Sequence, residues 1–206
     1  AVGVNAVVTL EVHNLAAFQN AFRCQSLHLT AHDPLIDALL PRLGATPVTV
    51  LSPDAGGTKR ADAFRERLSA RTGANVAGGF MEKYRSEGVV SGETLVGAVE
   101  GRTAVIVDDL IASGGTMRRT AQAARAQGAN GVIAVAAHGL FVGKAAGVLA
   151  DPVFDAVLVT DSVPPFRLQG TNARDRLEVV PVGEIIGETL RRWQAGEPPT
   201  DVPGAA

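Results

Sequence analysis

The chain has 206 residues, of which 46% are hydrophobic, so it can bury a core as one large or two small domains and is not a disordered protein. Its 19 basic and 21 acidic residues give a formal charge of −2, which excludes a surface built throughout for nucleic acid or membrane and makes any phosphate binding local. The single cysteine, Cys24, cannot form an intrachain disulfide, and no charged-then-apolar leader precedes the first apolar run; both features favour a reducing cytoplasm.

Short runs rich in β-branched residues recur along the chain and predict strands. These runs are 6–12, 48–52, 103–109, 131–138, 156–161 and 177–182. The stretches between them fit helices, three of which end at Gly44, Gly73 and Gly128, since glycine tolerates the left-handed conformation that stops a helix. Helices alternating with strands that are apolar throughout predict an α/β fold, a parallel sheet flanked by helices on both faces. In such sheets, ligands gather beyond the carboxyl ends of the strands.

Three further stretches bound the organisation of the chain. The longest apolar region, 131–150, contains His138 and Lys144, so it predicts strand, loop and helix rather than a membrane span. Residues 184–194 carry apolar residues at helical spacing and predict a terminal helix. Residues 195–206 are rich in Pro, Gly and Ala without periodicity, which predicts a disordered tail.

Two loops of one design follow two of the predicted strands. The strand at 48–52 leads into PDAGGTKR (53–60), and the strand residues TAVIV (103–107) lead into DDLIASGGT (108–116). Each has an acidic residue, a glycine pair, a hydroxyl and a base before a helix. Paired glycines let consecutive N–H groups converge, and a helix N-terminus adds positive potential, so each loop can cradle phosphate. Two cradles predict a ligand with phosphate at two ends.

Asp108 and Asp109 stand beside a loop shaped for an anion, which they would repel. They must therefore face sugar hydroxyls or a magnesium ion, and a ribose phosphate offers both hydroxyls and phosphate. The alternative is that Asp109 merely caps a turn and Ser113 merely caps a helix, and the second loop counts against it. The sequence contains neither a G-x-x-x-x-G-K-[ST] motif nor a G-x-G-x-x-G opening a helix, so neither a P-loop NTPase nor a dinucleotide-binding unit is supported.

The stretch VIVDDLIASGGTM (105–117) resembles the phosphoribosyl-diphosphate (PRPP) signature shared by type I phosphoribosyltransferases and ribose-phosphate pyrophosphokinases, or PRPP synthetases. The stretches LSPDAGGTKRADAFRERL, VVTLEVHN, AAHGLF and VTDSVP are similar to synthetase segments in the same order. The resemblance covers 4–193 and implies the C-terminal two-thirds of a synthetase, with a type I phosphoribosyltransferase-like fold.

The resemblance implies a role for each residue of the loops. Magnesium would be held by His13 and Asp54, a pairing that rests on the resemblance because one imidazole is not a site. Pyrophosphate would be bound by Asp54, Gly56 and Gly57. The ribose hydroxyls, or a second cation, would contact Asp108 and Asp109. The 5-phosphate would be bound by Ser113, Gly114, Gly115 and Thr116.

Residues 80–92 are similar to the mobile catalytic loop of the synthetases, in its shorter version, and imply a catalytic pair, Lys83 and Arg85. Pyrophosphoryl transfer builds charge on phosphate oxygens, which a lysine and an arginine fork can stabilise. Two residues depart from the family pattern. Ala112 and Glu11 stand where aspartate is common.

The resemblance implies a magnesium-dependent ribose-phosphate diphosphokinase of nucleotide biosynthesis, which uses ATP and ribose 5-phosphate and forms PRPP and AMP. We expect no nucleic-acid or membrane partner, and a homo-oligomer when the protein is complete. The implied domains are an N-terminal remnant at 1–35, a phosphoribosyltransferase-like domain at 36–183, a terminal helix at 184–194 packing on the remnant, and the tail. The segment that the resemblance leaves out would expose core surface, so we expect reduced stability or association of this chain.

Two alternatives stay open. A type I phosphoribosyltransferase would consume PRPP with a nucleobase, but the SPDAGG loop counts against it. A non-catalytic synthetase-like regulatory subunit would lack catalytic residues, but Lys83, Arg85 and both aspartates are present. Synthetases take much of the ATP site from the part that is missing here, so the activity of this chain by itself is in question.

Overall fold

The computed structural model of the protein describes residues 3–86 and 89–197, and for 83–86 and 89–92 it describes the backbone. The strands in these ranges are β1 (Ala6–Leu10), β2 (Gln25–Leu29), β3 (Val48–Ser52), β4 (Ala77–Ser86), β5 (Val89–Val96), β6 (Thr103–Ile111), β7 (Gly131–Gly139), β8 (Ala156–Thr160) and β9 (Leu177–Val180). The helices are α1 (Leu15–Ala21), α2 (His32–Leu43), α3 (Thr58–Thr72), α4 (Gly115–Ala126), α5 (Ala145–Leu149) and α6 (Gly183–Gln194).

The strands form a seven-stranded sheet in the order β5-β4-β3-β6-β7-β8-β9 and a two-stranded parallel sheet of β1 and β2. All neighbours in the larger sheet run parallel except β4 and β5, which are antiparallel. The predicted α/β class is therefore confirmed, with one antiparallel strand at the edge of a mostly parallel sheet.

Both faces of the larger sheet are buried. On β6, Ala104 and Ile106 pack on one side, with apolar residues of α4 and α5. Val105 and Val107 pack on the other, with apolar residues of α2 and α3. Strands covered on both faces are largely apolar on both sides, which is why these runs lack the strict alternation of apolar and polar residues of a half-exposed strand.

The structure corrects the interpretation of 80–92 as a loop. The described backbone of this stretch, 80–86 and 89–92, belongs to β4 and β5, with Lys83 opposite Glu93 in the antiparallel pair. β4 in turn pairs in parallel with β3, where Ser52 lies opposite Phe80. Within this stretch only Phe80 pairs with β3, and the antiparallel pairing of β4 with β5 makes the rest of it strand.

The predicted division of the chain crosses one helix. Residue 35 lies inside α2, where Leu35 and Ile36 are both buried. At the other end, α6 presents Ile186 and Leu190 with 37% and 48% of their surface exposed.

Residues 198–206 of the predicted tail lie outside the described residues. Among the described helices, none combines the length and the apolar character needed to cross a bilayer.

Candidate active site

The two glycine loops lie side by side, because the strands that precede them, β3 and β6, are paired neighbours in the sheet. Parallel strands bring their carboxyl ends to one edge, where the helices that follow begin. β6 extends two residues beyond the predicted 103–109 and, as predicted, includes both aspartates. Asp108 and Asp109 therefore project from the strand itself, next to the loop that starts α3.

The loop after β6 encloses a cavity of about 130 Å³ lined by residues between Asp108 and Met117. Gly114 adopts a φ of 76°, and a Cβ there would lie 3.0 Å from Val148 Cγ1, so the turn requires glycine. α4 begins at the next residue, and no described side chain caps it. The alternative that Ser113 only caps a helix is thus not supported. The N-terminus of α4 borders the cavity, and helix N-termini commonly bind anions.

The loop after β3 is held by its own acidic residue. Asp54 Oδ1 accepts a hydrogen bond from the Gly57 N–H at 3.0 Å, and Ser52 Oγ donates to the Asp54 carbonyl at 2.6 Å. A Cβ on Gly57 would come within 2.8 Å of Ser52 Oγ, and one on Gly56 within 3.3 Å of Asp54 Oδ1. The glycine pair is therefore required for this loop to close against the end of β3.

Arg60, in the first turn of α3, joins the two loops. Its Nη1 lies 3.3 Å from Asp108 Oδ1 and its Nη2 lies 3.0 Å from Asp109 Oδ2. The side chains of Arg60 and Asp109 are 17% and 4% exposed, so this ion pair is largely shielded from water. Sequence reasoning noted Arg60 as the base after the glycine pair but gave it no role. The sequence did contain a signal for this role, because Arg60 lies in the first turn of a helix that begins at a predicted anion loop.

His13 reaches the same carboxylate from the two-stranded sheet. Its Nδ1 lies 2.6 Å from Asp109 Oδ2, although the imidazole is 84% exposed. The next residue, Asn14, caps α1 by accepting the Ala17 N–H at 2.9 Å. Within 3–86 and 89–197, no group of three or more His, Cys, Asp and Glu side chains is arranged to hold a metal ion. The pairing of His13 with Asp54 around magnesium stays a prediction.

The two aspartates differ in their electrostatics. Burial, reinforced by the neighbouring Asp109 carboxyl, raises the pKa of Asp108 to about 7. Burial alone would also raise the pKa of Asp109, but the hydrogen bond with His13 and the charge of Arg60 outweigh it, and the pKa of Asp109 is lowered. At neutral pH Asp109 is therefore an ionised acceptor, whereas burial favours the protonated form of Asp108.

Glu11, two residues before His13, was noted only as a departure from the family pattern, and the structure gives it a structural role. It has a φ of 46°, unusual for a residue with a Cβ, and it is buried. Its Oε1 accepts the Ala31 N–H at 2.8 Å, and its own N–H donates to the Leu29 carbonyl at 2.9 Å. Burial raises the pKa of this carboxyl. Glu11 thus fixes the turn that carries the chain from β1 to His13.

Of the predicted site residues, the structure brings together His13, Asp108 and Asp109, and it places Asp54, Gly56 and Gly57 on the adjoining loop, with Ser113, Gly114, Gly115 and Thr116 around the cavity. The side chains of Lys83 and Arg85 lie outside the described part of the chain. Their catalytic roles remain predictions.

Two glycine loops lie beyond neighbouring parallel strands and are joined by one arginine across a carboxylate pair, and glycine loops at helix N-termini are a common anion-binding arrangement in α/β proteins. Residues 91–201 match the family model described as phosphoribosyl synthetase-associated domain. The chain belongs to this family.

Curated relatives agree with this assignment. The chain is 32% identical over 194 residues to a ribose-phosphate pyrophosphokinase of Aquifex aeolicus, an alignment that covers 94% of this chain and 59% of that protein. It is 34% identical over 192 residues to one of Parasynechococcus marenigrum, with 92% and 55% covered. A crystal structure of phosphoribosylpyrophosphate synthetase from Mycobacterium smegmatis superposes with a TM-score of 0.82 at 26% identity, covering 94% of this chain and 60% of that one.

The resemblance to the synthetases is therefore confirmed over nearly the whole chain. The chain spans somewhat more than half the length of the relatives it matches, since it covers 59% and 55% of the two curated proteins. This share is smaller than the two-thirds implied by the sequence motifs.

Proposed function

We propose that the complete protein is a magnesium-dependent ribose-phosphate diphosphokinase of nucleotide biosynthesis, acting on ATP and ribose 5-phosphate. The observation that carries the proposal is the Arg60 bridge, which sets two anion loops within the reach of one side chain, around a carboxylate pair. The site offers one anion loop, then the carboxylate pair, then the second anion loop. A matching ligand would have a phosphate at one end, hydroxyls in the middle and a pyrophosphate at the other end. PRPP is such a ligand.

Ribose 5-phosphate would place its phosphate in the cavity at the start of α4, where glycine N–H groups and the helix N-terminus favour an anion. Its ring hydroxyls would donate to Asp109, which is ionised. The anomeric hydroxyl would then face the loop of Asp54, Gly56 and Gly57. Positioning of the reacting groups provides most of the rate acceleration in a phosphoryl-type transfer, and these contacts would position the acceptor.

In the reaction, the anomeric oxygen forms a bond to the β-phosphorus of ATP, and the bond between that phosphorus and the oxygen bridging to the α-phosphate breaks. The hydroxyl loses its proton, and AMP leaves with the bridging oxygen. Negative charge builds on the non-bridging oxygens of the transferred group. Lys83 and Arg85 are the residues proposed to stabilise it.

The residues at the site fit magnesium in their chemistry. Magnesium is commonly held by one or two carboxylates together with substrate phosphates, so it does not require a protein cage of three or more ligands. His13 and Asp54 would hold the ion, and when bound it would neutralise charge on the pyrophosphate oxygens. Asp54 uses Oδ1 for the Gly57 N–H, which leaves Oδ2 for this purpose.

The proposal is tested by AMP and PRPP formation from ATP and ribose 5-phosphate with the full-length gene product. We expect Lys83→Ala to lower kcat by about a hundredfold or more, the usual effect of removing one charge-stabilising donor. Lys144→Ala, which replaces an exposed lysine at the start of α5, is the matched control and should retain full turnover. Near wild-type turnover in Lys83→Ala would remove the role of Lys83. A wild-type protein that consumed PRPP with a nucleobase and without ATP would instead be a phosphoribosyltransferase.

We further propose that the complete protein is cytoplasmic and homo-oligomeric. The support for association is apolar surface at two places, Leu15 and Phe22 beside α1 and Ile186 and Leu190 on α6, each at least 36% exposed. Light scattering and thermal unfolding would compare this chain with the complete protein. This chain should associate or unfold at lower temperature than the complete protein, and equal midpoints with both proteins monomeric would contradict the idea.

A further inference from the structure

Two segments that the sequence singled out, AAHGLF and VTDSVP, have no role in the site described above. Their polar residues meet in the structure. His138, in β7, has Nδ1 2.8 Å from Ser162 Oγ, which follows β8. Its Nε2 lies 2.9 Å from the carbonyl oxygen of Glu11, at the end of the two-stranded sheet.

The chemistry of the partners fixes the direction of these hydrogen bonds. A carbonyl oxygen only accepts, so His138 Nε2 must carry a proton and donate to Glu11. In the neutral imidazole the other nitrogen is an acceptor, so the Ser162 hydroxyl donates to Nδ1. Ser162 is itself anchored, because its N–H donates to Thr160 Oγ1 at 3.2 Å, and Thr160 Oγ1 donates to the Ala137 carbonyl at 2.7 Å. The result is a connected series of hydrogen bonds from the interior of the larger sheet to Glu11.

The turn at Glu11 needs support from outside. Its left-handed φ of 46° costs about 1 kcal/mol or more for a residue with a Cβ. The bonds that Glu11 makes to Leu29 and Ala31 hold the turn to β2 and to the start of α2, and His28 Nε2 accepts the Val12 N–H at 3.2 Å. The His138 bond comes from the larger sheet, whose β6 carries the Asp109 carboxylate that His13 contacts.

We propose that His138, oriented by Ser162, is a positioning residue that fixes the turn at Glu11 relative to the larger sheet and so sets His13 against Asp109. The effect on catalysis rests on the function proposed above, whereas the effect on His13 does not. Among the described residues, the imidazole of His138 makes its hydrogen bonds to Ser162 and to the Glu11 carbonyl, and not to a side chain of the glycine loops or the carboxylate pair. It acts on His13 through the backbone, from Glu11 through Val12 to His13.

The decisive variants are His138→Gln and His138→Asn in the full-length gene product. The amide nitrogen of Gln stands where Nε2 stood and can donate to the Glu11 carbonyl, whereas that of Asn is too short to reach it. We expect Asn to lower kcat for PRPP synthesis by about tenfold or more, as misplacement of a catalytic group does, and Gln to stay within about threefold of wild type. Ser162→Ala should fall between them, because the imidazole loses its anchor and keeps its donor.

Unfolding midpoints separate positioning from folding, since a purely structural role predicts equal kinetic losses in Gln and Asn variants of equal stability. A long-range ¹H–¹⁵N spectrum of the imidazoles gives a readout that does not depend on activity. We expect His138 to carry its proton on Nε2, and the His13 signals to shift in His138→Asn and to return in His138→Gln.

If wild-type protein forms no PRPP, the proposed function fails, and the spectrum still tests this inference. A proton on Nδ1 of His138, or wild-type His13 signals in His138→Asn, would overturn it. So would Gln and Asn variants with the same turnover.

Discussion

Replacing Arg60 by methionine keeps a long flexible side chain and removes the charge that balances two carboxylates. The Asp109 side chain is 4% exposed and Arg60 17%, so the replacement leaves a shielded carboxylate without its guanidinium. Breaking a buried ion pair in this way costs about 3–5 kcal/mol. Asp108 is 23% exposed and His13 still contacts Asp109, so we expect the lower part of that range or just below, about 2–3 kcal/mol of unfolding free energy.

The control lies one turn further along the same helix. Arg65 pairs with Asp62 at 3.2 Å, but Asp62 is 62% exposed, so Arg65→Met should change the free energy of unfolding by no more than about 0.5 kcal/mol. Arg60→Lys should lie between wild type and Arg60→Met, because an ammonium can approach one carboxylate but lacks the fork that reaches both. Urea unfolding at neutral pH, with unchanged slopes, measures all three variants.

A double variant tests the cause of the loss. If Arg60→Met destabilises because Asp109 is left charged and shielded, then adding Asp109→Asn should recover part of the lost stability. A loss in Arg60→Met no larger than in Arg65→Met would refute the electrostatic reasoning. So would a double variant that is destabilised by the sum of the two single changes.

The other predictions concern the phosphate loop and the response to acid. Gly114→Ala should lose about 1–3 kcal/mol, because alanine is strained at a φ of 76° and its Cβ would crowd Val148. Gly115→Ala, where the nearest atoms to a Cβ are 3.7 Å away, should fold as well as wild type in the same urea titration. Burial, followed by the charge of Arg67, lowers the pKa of His32 from 6.5 to about 4, so its neutral form stabilises the fold above pH 6.5 and this contribution is lost as the pH falls towards 4. The acid destabilisation over that interval should be smaller by up to about 3 kcal/mol in His32→Gln, and parallel pH profiles of unfolding would contradict it.

The elements that could be predicted from the sequence are those whose signal is local. β3 is buried at all five positions, and its short run rich in β-branched residues, VTVLS, was sufficient to find it. The stops of α2 and α3 follow from Gly44 and Gly73, which have φ of 56° and 65°. β4 was missed because the two glycines and the charged residues within it give no apolar run. It is a strand through pairing with β3 and β5, which no local pattern records.

The candidate site divides in the same way. The two glycine loops were predicted because acid, glycine pair, hydroxyl and helix follow one another in sequence. The contacts of Asp109 with Arg60 and His13 join residues 49 and 96 positions apart, and depend on the order of strands in the sheet. The resemblance to synthetases paired His13 with Asp54, whereas the contact that the structure describes is with Asp109. The spacing of residues in the sequence identified the chemical groups of the site but not the residues that each group contacts.

The carboxylate pair is compatible with a neighbouring anion cradle because its charge is already balanced. Arg60 contacts both aspartates, His13 contacts Asp109, and the pKa of Asp108 is raised by burial, so the pair does not present two uncompensated charges. A cation bound directly to this pair would have to compete with Arg60 for the same oxygens. A sugar hydroxyl can donate to the remaining lone pairs of an ionised carboxylate while Arg60 stays in place. Of the two partners that the sequence left open for Asp108 and Asp109, this geometry favours the ribose hydroxyls over a second cation.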